Sequence, residues 1–148
     1  MPSLRIALLL LLLAGTLSAQ SPPAPAWVDL GGGIAGVAGV PQLLGLGPLT
    51  PASSGSLELT GSAPFAPALL FLSFIQVAVP FKGGVLEAYP PIMQFLLTTG
   101  PAGLSLPWAV WPDALPPDLS LYFQVALLDG AAIKGVALSN LLLGTTQP

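Results

Sequence analysis

Short stretches of alternating apolar and polar residues recur along the chain, and the clearest of them lies near the C-terminus. Over residues 119–127, leucine, phenylalanine and valine occupy one parity, while mostly polar or small residues occupy the other. A period of two residues is typical of a half-buried β-strand. Asp129-Gly130 follows as a turn signal, and β-compatible residues return over 136–146. The pattern therefore predicts a β-hairpin.

The same stretch is apolar enough to be weighed as a membrane anchor. A helix over 119–143 would place Asp129 and Lys134 near the bilayer centre, where each charge costs about 2.5–3.5 kcal/mol. Two amides and two glycines make such a helix worse, and no basic cluster follows it. The hairpin is the favoured interpretation, and no transmembrane segment is predicted in the mature chain.

Six further segments show strand patterns. They cover residues 43–50, 56–60, 67–77, 83–89, 92–99 and 102–108. Residues 67–77 are apolar on both parities, as in a central strand covered on both faces, and 56–60 places Leu57 and Leu59 inward. No segment offers twelve residues of helical periodicity free of glycine or proline. The sequence predicts an all-β fold, an antiparallel β-sandwich of about eight short strands, with a small β-barrel as the alternative.

The N-terminus carries the features of a secretory signal peptide. Arg5 precedes the apolar run 6–14, and small residues follow up to Ala19. We therefore expect a signal-peptide helix over 1–19, cleaved after Ala19 or after Ser18. Residues 20–26 form a proline-rich linker and 27–148 the β-sandwich domain. Export predicts that the protein is secreted or held in the cell envelope.

Composition narrows the chemistry that the chain can perform. Of its 148 residues, 53% are hydrophobic and only 6% are charged, with a formal net charge of −3. The absence of histidine and cysteine excludes the usual nitrogen and sulfur zinc sites, cysteine nucleophiles and histidine bases. Without a basic patch, the chain has no means to bind nucleic acid through its phosphates. We predict no enzyme activity, no catalytic or metal-ligating residue and no cofactor.

Three motifs resemble a cofactor site, a metal site and a catalytic pair, but each has a simpler structural interpretation. The glycines of GGGIAG (31–36) match a dinucleotide fingerprint, yet glycine and proline at 39 and 41 break the helix that it requires. Asp113 and Asp118 are too few oxygen donors for calcium. Glu58 and Glu87 could pair as a glycosidase acid and base, but each lies at an outward strand position.

Aromatic side chains are the best candidates for ligand contact. Trp108 continues the inward parity of its strand and is expected in the core. Trp111 lies in a proline-rich loop, and Tyr122 lies on the polar parity of its strand. Trp111 and Tyr122 are therefore the candidate ligand-binding residues, because aromatic rings on one open face of a sandwich can stack on sugars.

Long stretches of the chain also show a resemblance to a known module. The segments around "PFKGG", "LYFQ" and "D…ALSN" resemble an uncharacterised secreted β-rich module that recurs in environmental bacteria, often at the C-terminal end of extracellular chains. The resemblance covers roughly 30–147 and implies a secreted β-rich fold without an assigned activity. Within these motifs, Lys82-Gly83 suits a turn with positive φ. Buried amides must be hydrogen-bonded, so Asn140 is expected to hold a bulge or loop and Gln124 to reach across the hairpin.

These observations lead to a ranked set of functional hypotheses. The first is an exported, non-catalytic β-sandwich with a structural, adhesive or protein-binding role, whose partners are itself, other cell-envelope proteins or glycans. The alternative is a carbohydrate-binding module that uses Trp111 and Tyr122. A small two-carboxylate hydrolase is third. A lipid-binding protein is a further case, and it would require a sizeable internal apolar cavity.

Overall fold

A computed structural model describes residues 24–148 as an assembly of eleven β-strands. The predicted signal peptide and residues 20–23 of the predicted linker lie outside the described residues. The strands are β1 (Trp27–Asp29), β2 (Gln42–Leu46), β3 (Gly55–Thr60), β4 (Pro67–Ser73), β5 (Val79–Phe81), β6 (Gly84–Leu86), β7 (Met93–Thr98), β8 (Leu104–Trp108), β9 (Ser120–Leu128), β10 (Val136–Leu138) and β11 (Leu142–Thr145).

All strand pairs are antiparallel and fall into three sheets. The largest sheet has the order β1-β11-β9-β4-β7, with β10 also paired to β9. The second has the order β2-β3-β8, and β5 and β6 form a separate hairpin. The large sheet ends in two edge strands, β1 and β7, so it does not close on itself. The prediction of an all-β antiparallel sandwich is confirmed.

The large sheet has an apolar core on each of its faces. On one face, side chains such as Leu70 and Val125 pack with Leu57 of the three-stranded sheet. On the other face, Phe71 and Ala126 belong to a second cluster, which the β5–β6 hairpin and neighbouring loops cover. The prediction of a half-buried strand at 119–127 is therefore wrong. β9 is a central strand and is covered on both faces. The polar residues at alternate positions of its sequence had predicted that one face would contact solvent.

Gln124 is the buried polar residue of β9, and a β-bulge supplies one of its hydrogen-bond partners. Leu138 pairs with Ala126, but Leu142 pairs with Phe123, so the returning strand carries one extra residue between the two pairs. Gln124 is fully buried and donates from its Nε2 to the carbonyl oxygen of Ser139 at 3.1 Å. The prediction that Gln124 reaches across the hairpin is confirmed.

All eight predicted strands are present, with differences in detail; β2 and β6, for example, end three to four residues earlier than predicted. β4 ends at Ser73, four residues earlier than predicted, and the returning strand 136–146 is divided by the bulge into β10 and β11. The short strands β1 and β5 were not predicted. Lys82 and Gly83 have φ of 47° and 92° and form a two-residue turn between β5 and β6, which confirms the positive-φ turn. The apolar C-terminal stretch is β-structure, and residues 24–148 include no apolar helix with the length needed to cross a membrane.

Candidate functional site

One side of the sandwich is joined by a buried amide. Asn140 lies in the bulge between β10 and β11 and is 1% exposed. Its Oδ1 accepts a hydrogen bond from the Leu43 backbone N–H at 2.6 Å, and its Nδ2 donates to the Leu43 carbonyl at 3.1 Å. The same Nδ2 donates to Oδ1 of Asp29 at 2.8 Å. Asn140 thus fastens β2 of the small sheet to the large sheet. As predicted, it is hydrogen-bonded to backbone, but the backbone is that of a strand and not that of a bulge or loop.

Trp27 supports the same joined side. Its Nε1 donates to the carbonyl oxygen of Gly47 at 2.8 Å, and its ring lies where a side chain on Gly45 would project. The absence of a Cβ at Gly45 lets the indole lie against β2. The ring centroid of Phe123 on β9 is 5.8 Å away, so the indole bridges the two sheets.

On the opposite side, the two sheets diverge and enclose an apolar cavity of about 500 Å³. It lies between β4, β7 and β9 of the large sheet and β3 and β8 of the small sheet. The loop 111–115 contributes to its wall. Surveyed ligand pockets have volumes of about 300–1,000 Å³, so this cavity falls within the range for small molecules.

The wall of this cavity consists entirely of apolar and aromatic residues. Sixteen side chains line it, and none of them is charged. At the open side, Phe74, Ile92, Met93 and Phe95 are each 40–49% exposed. Single exposed apolar residues are ordinary, but a contiguous group marks an interaction site.

All three tryptophans of the chain line the cavity. Trp108 and Trp111 lie side by side, with ring centroids 5.3 Å apart. Their Nε1 atoms are buried and have no hydrogen-bond partner among the described residues. Buried polar atoms are nearly always hydrogen-bonded, so two neighbouring exceptions require an explanation.

The two predicted ligand residues do not share a surface. Trp111 packs against the core between the two large layers and lines the cavity. Tyr122 packs against the second core, on the other face of the large sheet. The structure therefore separates these aromatic rings, and the open stacking platform that a sugar-binding site would need is not formed by this pair.

The two glutamates of the hydrolase hypothesis lie on opposite sides of the large sheet. Glu58 projects from the outer face of the small sheet, where its Oε1 accepts from the Ser105 hydroxyl at 2.7 Å. Hydroxyl groups of Ser56 and Ser105 hold the pKa of Glu58 below its ordinary value. Glu87 follows β6, next to the second core, and its carboxylate accepts from Gln76. The large sheet lies between them, so no acid and base pair forms.

The remaining motifs take structural roles. Gly31 and Gly33 have positive φ, and Ile34 then bridges to Leu138 as extended chain. GGGIAG is therefore followed by an edge contact, where a dinucleotide site would need a helix. Within residues 24–148, no three acidic side chains come together in a group that could hold a metal ion.

Sequence reasoning found the tryptophans but missed the site that they form. Trp108 was correctly expected to point inward, and it packs against the core as predicted. The cavity itself depends on the gap between β7 and β8, which are edge strands of two different sheets, and no local sequence pattern reports the distance between two sheets. The available signal was the mostly apolar segment 92–97 in a chain region that also holds Trp108 and Trp111.

Comparisons with protein-family models, with curated proteins and with solved structures find no significant match for this chain. The resemblance to a secreted module therefore stays a prediction. The arguments about function below depend on the geometry of the described residues.

Proposed function

We propose that this chain is a non-catalytic binding module that takes an apolar small molecule into the cavity between its two sheets. The observation that carries the proposal is the cavity of about 500 Å³ with a wholly apolar lining. A far smaller engineered cavity of about 150 Å³, lined by similar side chains, binds benzene. Export to the envelope or the medium, which the N-terminal sequence predicts, is compatible with a carrier or sensor of apolar compounds.

A dye-binding titration tests this function directly. The chain, purified after processing by its exporting host, is titrated with 1-N-phenylnaphthylamine, an uncharged dye whose emission rises in apolar surroundings. Because all three tryptophans line the cavity, a bound dye should also quench tryptophan emission. We expect saturable binding of one dye molecule per chain, and the absence of saturable binding would refute the proposal.

A pair of variants on one strand locates the binding site. Leu72 on β4 lines the cavity, whereas its neighbour Leu69 lies on the opposite face of the same strand. Leu72→Trp should fill the cavity and weaken dye binding by at least tenfold, whereas Leu69→Trp should leave it within about twofold. Equal effects of both variants would place the dye elsewhere.

Self-association is the second candidate function, and the edge strand β7 favours it. β7 pairs with β4 alone in the sheet order. In an antiparallel pair, the backbone N–H and C=O groups of every second residue point away from the partner strand. On β7 these residues include Leu96. Leu96 is 81% exposed, and no charged residue occurs between 88 and 112. Such an edge can pair with β7 of a second copy.

Sedimentation velocity over a range of concentrations tests this second function. If β7 pairs between copies, Leu96→Lys should shift the chain toward monomer, whereas Val110→Lys should not. Val110 is a matched control because it is also exposed but lies in a loop. A wild-type chain that stays monomeric at all concentrations would refute self-association without affecting the cavity proposal.

A further inference from the structure

We infer that the cavity binds molecules with a hydrocarbon body, in which a polar group is accepted only at the end that faces the opening and only if it is not an anion. This inference rests on the proposed function and specifies the ligand class of the same cavity. It depends on the surface of the wall, on the place of the opening and on the charges around it.

The side chains of residues 24–148 that line the cavity present almost no polar atom to the space between the sheets. Trp27 Nε1 already donates to the Gly47 carbonyl. The Nε1 atoms of Trp108 and Trp111 have essentially no accessible surface, so they are buried within the wall and are not open to a ligand. A polar group inside the cavity would lose its hydrogen bonds to water and gain none from the wall. The buried part of a ligand is therefore hydrocarbon.

The opening leaves one end of a bound molecule in water. Leu72 of β4 pairs with Met93 of β7, so Phe74 and Ile92, which lie just beyond this pair, are at the same end of the large sheet. Both line the cavity and both are exposed. A polar group held at this end keeps its hydration and does not bear the cost of burial. The geometry thus favours a terminal polar group over an internal one.

Two carboxylates lie near this end. The loop after β8 forms part of the wall, and within it Asp113 is exposed between the lining residues Pro112 and Leu115. Asp118, also exposed, lies two residues before the start of β9. An anionic group at the opening would be repelled by both side chains.

The lysines of the described residues lie at the other end of the large sheet. β9 begins near the opening, since Tyr122 pairs with Ser73, and its nine residues span about 25 Å. Lys134 follows β9 in the loop to β10, and the turn that contains Lys82 lies against that loop. This separation exceeds the screening length of about 8 Å at physiological ionic strength, so neither lysine offsets the repulsion of an anion.

Two isomeric alcohols test the position of the polar group. 1-Dodecanol and 6-dodecanol differ only in where the hydroxyl lies, and both are used to displace 1-N-phenylnaphthylamine at pH 7. A hydroxyl buried without a partner weakens binding by roughly fivefold to hundredfold. We expect 1-dodecanol to bind more tightly than 6-dodecanol by about that factor. n-Tridecane and 6-methyldodecane, which carry a methyl group in place of each hydroxyl, correct the ratio for shape.

Two ionic compounds test the charge. Dodecyltrimethylammonium and dodecanoate are compared below their micellar concentrations, and we expect the cation to bind roughly threefold more tightly at low salt, with the difference shrinking as salt is added. Replacing both aspartates, Asp113→Asn with Asp118→Asn, should remove most of this preference. Glu58→Gln is the matched control and should keep it, because Glu58 projects from the outer face of the small sheet.

The outcomes distinguish the inference from the proposed function. Saturable dye binding with a shape-corrected ratio near one for the two alcohols, or dye that neither alcohol displaces, would overturn the inference and leave the proposed function standing. Tighter binding of dodecanoate than of dodecyltrimethylammonium would overturn it as well. No saturable binding of the dye or of any of these compounds would instead refute the proposed function.

Discussion

Replacing Asn140 by alanine should destabilise the fold more than any other single loss of a polar side chain, because this amide satisfies both backbone groups of Leu43. Leu43 is 1% exposed, so water cannot replace the lost partners. Each buried group left unsatisfied costs about 1–3 kcal/mol. Two such groups give a loss of roughly 2–6 kcal/mol, out of a total of about 5–15 kcal/mol for a typical domain.

Guanidinium denaturation followed by tryptophan fluorescence measures this loss. For a domain of this size, the same loss should lower the melting temperature by roughly 10–20 °C. Gln42→Ala is the control, because Gln42 is an adjacent but exposed amide that donates only to the Val40 carbonyl. Its effect should stay within about 0.5 kcal/mol.

Asn140→Asp separates hydrogen bonding from packing. Aspartate keeps the volume and one acceptor oxygen, but it loses the Nδ2 donor and places a second carboxylate beside Asp29. We expect a loss at pH 7 at least as large as that of Asn140→Ala. If Asn140→Asp were as stable as the wild type, the donor bonds to Leu43 and Asp29 would be dispensable and the reasoning would be refuted.

Three further predictions concern single positions. Gly45→Ala should cost about 1–3 kcal/mol in unfolding free energy, because the added Cβ would overlap the Trp27 ring. Lys82→Asn should raise the melting temperature by a few degrees, since asparagine tolerates the positive φ of this turn better than lysine. Ser56→Ala should raise the pKa of Glu58 toward its ordinary value, as followed by NMR titration of the carboxyl carbon. Because the folded-state pKa of Glu58 is lowered, its contribution to stability is present above its unfolded pKa and is lost as pH falls through its folded pKa. Ser56→Ala should therefore lose less stability on acidification than the wild type.

The first two of these predictions each have a matched comparison in the chain. Gly130→Ala introduces a methyl group into open space and should be nearly neutral. Lys134→Asn removes the same charge as the turn variant at a position without positive φ, so it should not stabilise. A destabilising Gly130→Ala, or equal stabilisation at both lysines, would contradict the corresponding explanation.

The strands were predictable because their signals are local. The alternation in 56–60 and the leucines of β8 depend only on neighbouring residues, and the turn at Lys82-Gly83 depends on two. The burial of both faces of β9 was not predictable. A glutamine at position 124 of an alternating strand predicts a surface position unless its hydrogen-bond partners are known. Those partners are the Ser139 carbonyl and the backbone N–H of Glu87, the latter 37 residues away in sequence.

The candidate site was predictable only in its residue types. Tryptophans were correctly singled out, but pairing Trp111 with Tyr122 assumed that both would share one open face. Parity within β9 places Tyr122 opposite Phe123, and only the packing of the second core shows that this opposite face is also covered. A cavity depends on how far apart two sheets lie, and that distance follows from contacts between elements distant in sequence.

The two sheets are joined closely on one side and stand apart on the other. This difference favours the proposal that the cavity binds a ligand over the alternative that it is a packing defect. This space of about 500 Å³ is open on one side, where Phe74, Ile92, Met93 and Phe95 are exposed, so without a ligand it leaves apolar side chains in contact with water. Asn140 and Trp27 hold the sheets tightly together on one side, which shows that this chain can close the gap between them. On the β7–β8 side the chain instead keeps the space open and lines it with apolar and aromatic side chains. Poor packing accounts for lost volume but not for a contiguous apolar wall that is open to solvent, whereas a bound apolar molecule accounts for both.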